Sequence, residues 1–202
     1  ENDTENGKIY GKLYNWYAVF DSRGLAPRGW HIPSDEEWSI LTNYLGGQDV
    51  AGTKMKNNSG WKNGGTLNPK GNGNNSSGFT GLPGGFRNFE TNIDGINGAF
   101  KYNGINGYWW SSTSFETNYA WTRGLFSNSV EVDRGRGNEY GYHKGYGYSV
   151  RCIKDESSEN ASEKLTNEIN VTYVGFWVAD PNSSVRYDGN RIIDITISKN
   201  GE

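Results

Sequence analysis

The chain is poor in the side chains that build disulfide-linked or metal-linked folds. Cys152 is the single cysteine among 202 residues, so an intrachain disulfide and a multi-cysteine zinc site are both excluded. With His31 and His143 as the two histidines, a structural zinc centre is hard to assemble. Cys152 lies in an alternating run that begins at Tyr148, which indicates a small buried strand residue. We therefore expect no metal site and no cofactor.

Charge of one sign and long apolar runs are scarce as well. The formal net charge is −3, and no basic stripe or polybasic cluster is present that would neutralise phosphates or anionic lipid. No apolar stretch approaches the length that spans a membrane. We expect neither a nucleic acid partner nor direct membrane insertion.

Aromatic residues and glycine are abundant in their place. The chain has 8 Trp, 13 Tyr, 8 Phe and 29 Gly. Because aliphatic residues are sparse, the core must use large rings that carry polar groups. Disordered chains lack such rings, so the composition predicts a folded domain with many loops. A chain of this length predicts one main core with an appendage.

The clearest local pattern predicts a helix from Ser34 to Leu45. Ser34 and Glu37 form a capping-box pattern, and Gly46 and Gly47 supply a left-handed stop. The expected buried stripe consists of Trp38, Ile40, Leu41, Tyr44 and Leu45. An earlier segment, residues 12–20, predicts a short aromatic-faced helix, whereas residues 50–106 are expected to be mostly loop.

Beyond Tyr108 the sequence predicts an antiparallel sheet of short strands with long loops. The expected strands are residues 108–112, 119–125, 129–133 and 148–154. Two helices followed by such a sheet indicate the α+β class. We predict a main domain at 1–155, a linker at 156–165 and a small C-terminal β-unit at 166–202, with paired strands near 170–180 and 193–197. This unit is too short to fold alone. We expect it to pack on the main domain, a neighbouring module or another subunit.

Four ordered motifs carry a resemblance to a known family across about residues 10–155. They are LYNWYAVFDSRGLAPRGWHIPSDEEWSILTNYLGG, GFTGLPGGFRN, GYWWSSTS and YGYSVRCIKD. Together they resemble the Fibrobacter succinogenes major paralogous domain. The resemblance implies a C-type-lectin-like or formylglycine-generating-enzyme-like fold in a module that is secreted or displayed on the bacterial cell surface. It does not reach the C-terminal unit.

Neither enzymatic nor calcium-lectin chemistry of the related folds transfers to this chain. Formylglycine-generating enzymes depend on a pair of cysteines, and Cys152 has no partner cysteine. The Glu-Pro-Asn and Gln-Pro-Asp tripeptides of calcium-dependent lectins are missing, and Asp180-Pro181-Asn182 lies in the wrong segment. Loop carbonyls at Asn92 to Asn97 could hold a structural calcium ion, but solvated turns are the ordinary explanation. We assign no metal.

The span from Phe115 to Tyr146 is similar to the binding face of lectin-fold proteins that retroelements diversify. Variation in those proteins concentrates at Asn, Tyr, Ser, Gly, Asp, Arg and His. On this comparison Trp109, Trp110, Ala120, Trp121, Val150 and Cys152 are scaffold. The ligand-binding residues would be Phe115, Asn118, Tyr119, Thr122, Phe126, Asn128, Arg134, Asn138, Tyr140, Tyr142 and His143. The alternative is ordinary loop composition in a glycine-rich domain.

No catalytic constellation is convincing. Glu131 and Asp133 would share one strand face, but near Arg134 and Arg136 they indicate an exposed ion-paired surface more than a glycosidase pair. His31 has the ordinary interpretation of an imidazole bonded to a loop carbonyl. We therefore expect a non-enzymatic extracellular recognition or adhesion module that binds a glycan or a protein. The alternative is a structural module of a bacterial surface assembly without a free ligand.

Overall fold

Helices occupy the first part of the chain and antiparallel strands the rest. The computed structural model describes residues 4–63, 71–89, 98–135 and 141–155, together with the backbone of 173–175, 187–188 and 191–192. The helices are α1 (Thr4–Tyr10), α2 (Trp16–Val19), α3 (Asp35–Tyr44) and α4 (Gln48–Met55). The strands are β1 (Trp30–His31), β2 (Phe86–Arg87), β3 (Phe100–Lys101), β4 (Asn106–Ser114), β5 (Tyr119–Phe126), β6 (Asp133–Arg134), β7 (Tyr142–His143), β8 (Arg151–Lys154), β9 (Tyr173–Gly175), β10 (Tyr187–Asp188) and β11 (Arg191–Ile192). This mixture confirms the α+β class.

Helix α3 begins and ends where its local sequence indicates. The Glu37 amide donates to Ser34 Oγ at 3.2 Å, and the Ser34 amide donates to the Glu37 carboxylate at 2.8 Å, which completes the capping box. Gly46 and Gly47 follow with φ of 100° and 97°. The expected burial of Ile40 and Tyr44 is wrong, since they are 38% and 70% exposed. At 3.6 residues per turn Ile40 lies about 200° and Tyr44 about 240° around the helix from Trp38, so both point away from the buried stripe.

The segment before α3 is less helical than predicted. Helix α2 covers Trp16–Val19 alone, because the Asn15 side chain caps it by accepting from the Ala18 amide at 3.0 Å. Tyr14 is extended instead, and it exchanges two backbone hydrogen bonds with Tyr148, at 2.8 and 3.0 Å. The predicted helix over residues 12–20 is therefore wrong at its start. Helices α1 and α4 lie in segments for which no helix was predicted.

Strands β4 and β5 form the central antiparallel pair, and β6 and β7 both pair with β5. The strands predicted at 108–112 and 119–125 are confirmed, whereas the one at 129–133 is reduced to Asp133–Arg134. The reason is that its backbone bonds to α4 instead. The Thr53 amide donates to Val130 O at 3.1 Å, and the Val132 amide donates to Gln48 O at 2.9 Å. In the last predicted strand, β8 covers Arg151–Lys154, and isolated bridges hold Tyr148 and Ser149.

Two adjacent tryptophans of β4 point into two different cores, because successive strand side chains alternate between faces. Trp109 packs with the helix residues Trp38 and Leu41. Trp110 packs with Trp16 and Tyr148. Both cores are rich in aromatic rings, as the composition predicts. Cys152 is buried in the second core, which confirms its interpretation as a small buried strand residue.

The C-terminal unit is described through three short strands. Strand β9 pairs antiparallel with β8, with Cys152 opposite Val174, and β10 pairs with β11. The linker at 156–165 and the hairpin between 170–180 and 193–197 lie largely outside the described residues, so the domain boundaries stay a prediction. Within the described residues no helix is long and apolar enough to cross a membrane.

A buried ion-pair network joins α3 to the sheet. The Asp35 carboxylate accepts from Arg123 Nη1 at 2.7 Å and from Arg134 Nη2 at 2.6 Å. The Arg123 side chain, which is 2% exposed, also donates to Ser39 Oγ at 2.9 Å. Burial opposes ionisation of Asp35, but the hydrogen bonds from Arg134 and Arg123 outweigh it and hold the pKa of this carboxyl below its usual range. The network therefore fixes the start of α3 against β5 and β6.

Replacing Asp35 by Asn should destabilise the protein strongly, because Arg123 would keep its charge in a buried site without its hydrogen-bonded carboxylate. Leaving one buried charge unpaired costs about 3–5 kcal/mol in the free energy of unfolding. Urea titration of wild type and D35N measures this difference in the free energy of unfolding. The matched control is Glu36→Gln at the neighbouring exposed position, with an expected change of less than about 0.5 kcal/mol. Equal effects of the two substitutions would contradict the role of Asp35.

His31 links three elements through two carboxylates. Its Nδ1 lies 2.6 Å from Asp155, just after β8, and its Nε2 lies 2.9 Å from Glu37 in α3. This differs from the expected loop-carbonyl partner. Burial disfavours the imidazolium, but the hydrogen bonds to Asp155 and Glu37 outweigh burial and raise the pKa of His31 above its ordinary value.

The thermal stability should therefore depend on His31 most strongly in acid. A raised folded-state pKa stabilises the fold fully below the unfolded value of about 6.5, and this stabilisation is lost as the pH rises through the folded pKa. Glu37 remains the charged partner, since its own pKa is lowered. We expect His31→Gln to lower the melting temperature more at about pH 5.5 than at about pH 8.5. An equal decrease at both pH values would show that no proton is involved.

Candidate functional site

Strand β5 divides the predicted ligand-binding residues between two faces of the sheet. Alternation places Phe126 on the face of Ala120 and Thr122, and places Trp121 on the opposite face. Phe115 and Arg134 both contact the Trp121 ring. The residues predicted from the sequence therefore do not form one continuous surface.

On the first face, Tyr142 belongs to an aromatic cluster. Its ring centroid lies 5.6 Å from Tyr108, 5.5 Å from Tyr148 and 6.2 Å from Tyr146. Burial, with a further contribution from Tyr142, holds the pKa of Tyr108 far above the usual tyrosine range. The Tyr108 phenol therefore stays neutral at physiological pH. The partly buried Tyr142 side chain contributes to packing in addition to any contact with a ligand.

On the opposite face, Trp121 lies between two of the predicted residues. The Arg134 guanidinium lies 3.8 Å from the Trp121 ring centroid, and the Phe115 ring lies 4.7 Å away at 66°. Arg134 is also bonded to Asp35. These contacts hold Phe115 and Arg134 in one arrangement.

Tyr119 and His143 meet where β5 pairs with β7. They are directly opposite in the register, and their rings are 5.6 Å apart and nearly perpendicular. The other side of His143 stacks on Phe89 at 4.1 Å. Asn118 precedes Tyr119 and is exposed. Phe89, which the sequence analysis did not include, thus supports this part of the surface.

Two buried lysines hold the loops that carry the exposed residues. Lys144 Nζ donates to Ser114 Oγ at 2.8 Å and to the carbonyls of Glu116 and Thr117, both at 2.9 Å. It also lies 4.3 Å from the Trp16 ring centroid. The loop from Ser114 to Asn118 is therefore tied to the protein interior.

Lys56 does the same for the loop that follows β5. Its Nζ donates to Phe126 O at 2.9 Å and to Ser129 O at 2.6 Å, and the side chain is fully buried. Burial lowers the pKa of Lys56 to about 8. Asn128 lies in this loop with its side chain exposed.

A shallow, open depression of about 590 Å³ lies beside this second loop. It is lined by Asn63, Tyr102, Ile105, Asn106, Tyr108, Phe126, Ser127 and Asn128. Phe126 and Asn128 were predicted to contact a ligand, whereas Asn63, Tyr102 and Asn106 were missed in a segment regarded as loop. The Tyr-Asn-Gly sequence at Tyr102 is a turn signal that could have marked the site.

The remaining predicted residues are buried, lie outside the described part of the chain, or belong to the predicted scaffold. Thr122 is 0% exposed, so its side chain cannot line a surface, and its assignment as a ligand contact is corrected. Asn138 and Tyr140 lie outside the described residues, as does the possible calcium loop at 92–97. Of the predicted scaffold, Trp109, Trp110, Ala120, Val150 and Cys152 are buried, and Trp121 is partly buried. The described part of the chain contains no group of three His, Cys, Asp or Glu side chains that could hold a metal ion.

A comparison with protein families finds a match that covers most of the chain. The family model of the Fibrobacter succinogenes major domain matches residues 1–154. No curated protein and no solved structure matches the chain.

Tyr142 and Tyr119 should respond differently to truncation. Tyr142→Ala removes a ring packed against three others, and we expect it to lower the free energy of unfolding by about 2–3 kcal/mol. Tyr119 is more exposed, and we expect Tyr119→Ala to cost about 1 kcal/mol or less. Chemical denaturation of both variants measures the difference. Similar costs would contradict the packing role assigned to Tyr142.

Proposed function

Because the chain belongs to the Fibrobacter succinogenes major domain family, we propose that it is a non-catalytic, extracellular recognition or adhesion module of the bacterial cell surface. Its ligand would be a glycan or a protein, bound through the late strands and their loops. The observation that carries this proposal is the support of two exposed loops by Lys144 and Lys56. These loops present Asn118 and Asn128 to solvent.

The bracing of these loops favours binding over a purely solvent-facing role. A loop that is ordered before it meets a ligand loses less conformational entropy on binding. The buried ammonium group of each lysine donates hydrogen bonds to backbone carbonyls. A buried charge is tolerated only when its hydrogen bonds are satisfied. The two buried ammonium groups therefore require that the two loops keep their carbonyl groups in place around them.

We also propose that the main domain has the C-type-lectin-like fold. The order of the four motifs, the capped helix α3 and the long loops around β4 and β5 support a C-type-lectin-like domain. Asn118, Tyr119 and Asn128 are polar or aromatic residues that point to solvent, as expected for a face diversified by a retroelement. Such diversification would change the ligand while the Trp109 and Trp110 cores stay constant.

The second candidate is a structural module of a cell-surface assembly. Large side chains are also exposed outside the late-strand loops, including Phe20 after α2, Tyr44 at the end of α3 and Phe100 in β3. Neighbouring domains would cover these rings in an assembly. This candidate requires no free ligand.

The proposal is tested by probing the purified chain against immobilised glycans and a panel of surface proteins, with and without a chelator. We expect a chelator-insensitive ligand whose binding weakens about tenfold or more, with little change in melting temperature, in the double variant Asn118→Ala/Tyr119→Ala if it meets the first loop, or in Asn128→Ala if it meets the second. Tyr44→Ala, an exposed aromatic on α3, is the matched control and should bind like wild type.

Three results would change this conclusion. Unchanged binding by the double variant would remove the Ser114 to Asn118 loop from the binding surface. A ligand lost on chelation would point to a calcium site. Silence on both panels, with assembly impaired by Tyr44→Ala or Phe20→Ala, would support the structural candidate instead.

A further inference from the structure

Tyr102 is an exposed aromatic residue held in an unfavourable backbone conformation. Its φ is 60°, in the left-handed region, and its side chain is 52% exposed. A bulky residue there costs free energy and persists only where its surroundings enforce it. Ordinary core packing does not explain an exposed ring in this conformation, so a role at the surface is the better explanation.

The backbone around Tyr102 is fixed on both sides. The amides of Ile105 and Asn106 both donate to Tyr102 O at 3.0 Å. Gly104 donates to Pro83 O at 2.8 Å and accepts from the Lys62 amide at 2.7 Å. The Tyr102 ring itself lies 5.6 Å from Phe86 at the edge of the aromatic cluster. These contacts hold the ring at the border of the 590 Å³ depression.

The depression combines aromatic rings with neutral polar groups. Tyr102, Tyr108 and Phe126 supply rings, and Tyr108 and Phe126 are packed against each other at 5.6 Å. Asn63, Asn106 and Asn128 supply amides, whereas Ser127 is buried, with 3% of its surface exposed. Asn106 donates to the Tyr108 hydroxyl at 3.0 Å, which orients both groups. None of the described lining residues is charged.

We propose that this depression binds a neutral glycan, with the Tyr102 ring as its stacking platform. This inference rests on the proposed recognition function and narrows the ligand from glycan or protein to uncharged carbohydrate. The apolar C–H face of a sugar ring packs on an aromatic face, while amides offer both donors and acceptors to hydroxyl pairs. Among the described lining residues there is no cation for an anionic glycan, and the described Lys62 beside Gly104 is not one of them. A volume of about 590 Å³ lies within the range of small-ligand sites.

The support beneath the depression matches this role. Lys56 holds both ends of the loop that carries Ser127 and Asn128, through Phe126 O and Ser129 O. The Ser127 amide also donates to Ile105 O at 2.8 Å, which joins this loop to the Tyr102 turn. The two sides of the depression therefore keep a constant separation.

The experiment measures binding of the full chain to immobilised neutral oligosaccharides of glucose, xylose, mannose, galactose and N-acetylglucosamine. Immobilised sialylated and sulfated glycans are included to test whether the site also binds charged ligands. The variants are Tyr102→Gly, which removes the ring and accepts a positive φ without strain, and Tyr102→Phe, which keeps the ring. Tyr44→Ala is the control for an exposed aromatic elsewhere, and melting temperatures verify that each variant is folded.

We expect neutral glycans to bind wild type, Tyr102→Phe and Tyr44→Ala similarly. Tyr102→Gly should weaken binding about tenfold or more while remaining folded. Binding that survives Tyr102→Gly, or binding of charged glycans alone, would overturn the inference. If a surface protein binds and neutral glycans do not, the inference fails while the recognition function stands. If neither binds, both fail.

Discussion

The alternation of Trp109 and Trp110 in β4 is the constraint on which the rest of the structure depends. Two adjacent strand residues must face opposite sides, so the two indoles enter two different cores. The fully buried Trp110 indole donates to Tyr14 O at 2.7 Å, and its backbone amide donates to Ser149 O at 3.0 Å. A single strand thereby joins the helices, the N-terminal segment and the late strands. With so few aliphatic residues, rings that also donate hydrogen bonds hold the cores together.

Buried cationic side chains satisfy the backbone carbonyl groups of the loops, as strand pairing satisfies those of a sheet. Carbonyl groups in irregular segments need donors once water is excluded. Lys56 and Lys144 each satisfy two backbone carbonyls, and Arg151 donates to Phe79 O at 2.9 Å and to Thr80 O at 3.1 Å. An ammonium group carries three N–H donors on one nitrogen and can therefore bond several carbonyl groups of the same turn. This arrangement links the interior of the domain to the surface at which we propose that ligands bind.

Elements with local causes were predictable, and those with distant causes were not. Helix α3 follows from its cap and its glycine stop, which lie within a few residues of its ends. The segment at Ser129 to Val132 alternates like a strand, but α4 takes its hydrogen bonds from about eighty residues away in the chain. In the site, residue type indicated Phe126 and Asn128, yet it could not separate the buried Thr122 from the exposed Asn118 and Tyr119. Tertiary packing sets that difference, because residues 122–125 of β5 are buried on both faces of the strand.

The sequence by itself determined the aromatic core, the family, helix α3 and the paired strands β4 and β5, because these depend on composition, ordered motifs and short-range patterns. Only the tertiary structure decided which late-strand residues reach solvent, that Lys56 and Lys144 brace the exposed loops, and that Tyr102 joins Phe126 and Asn128 around one depression. Lys56 and Phe126 are separated by 70 residues in the chain. Contacts of that kind arise from how the elements pack, and no local pattern records them.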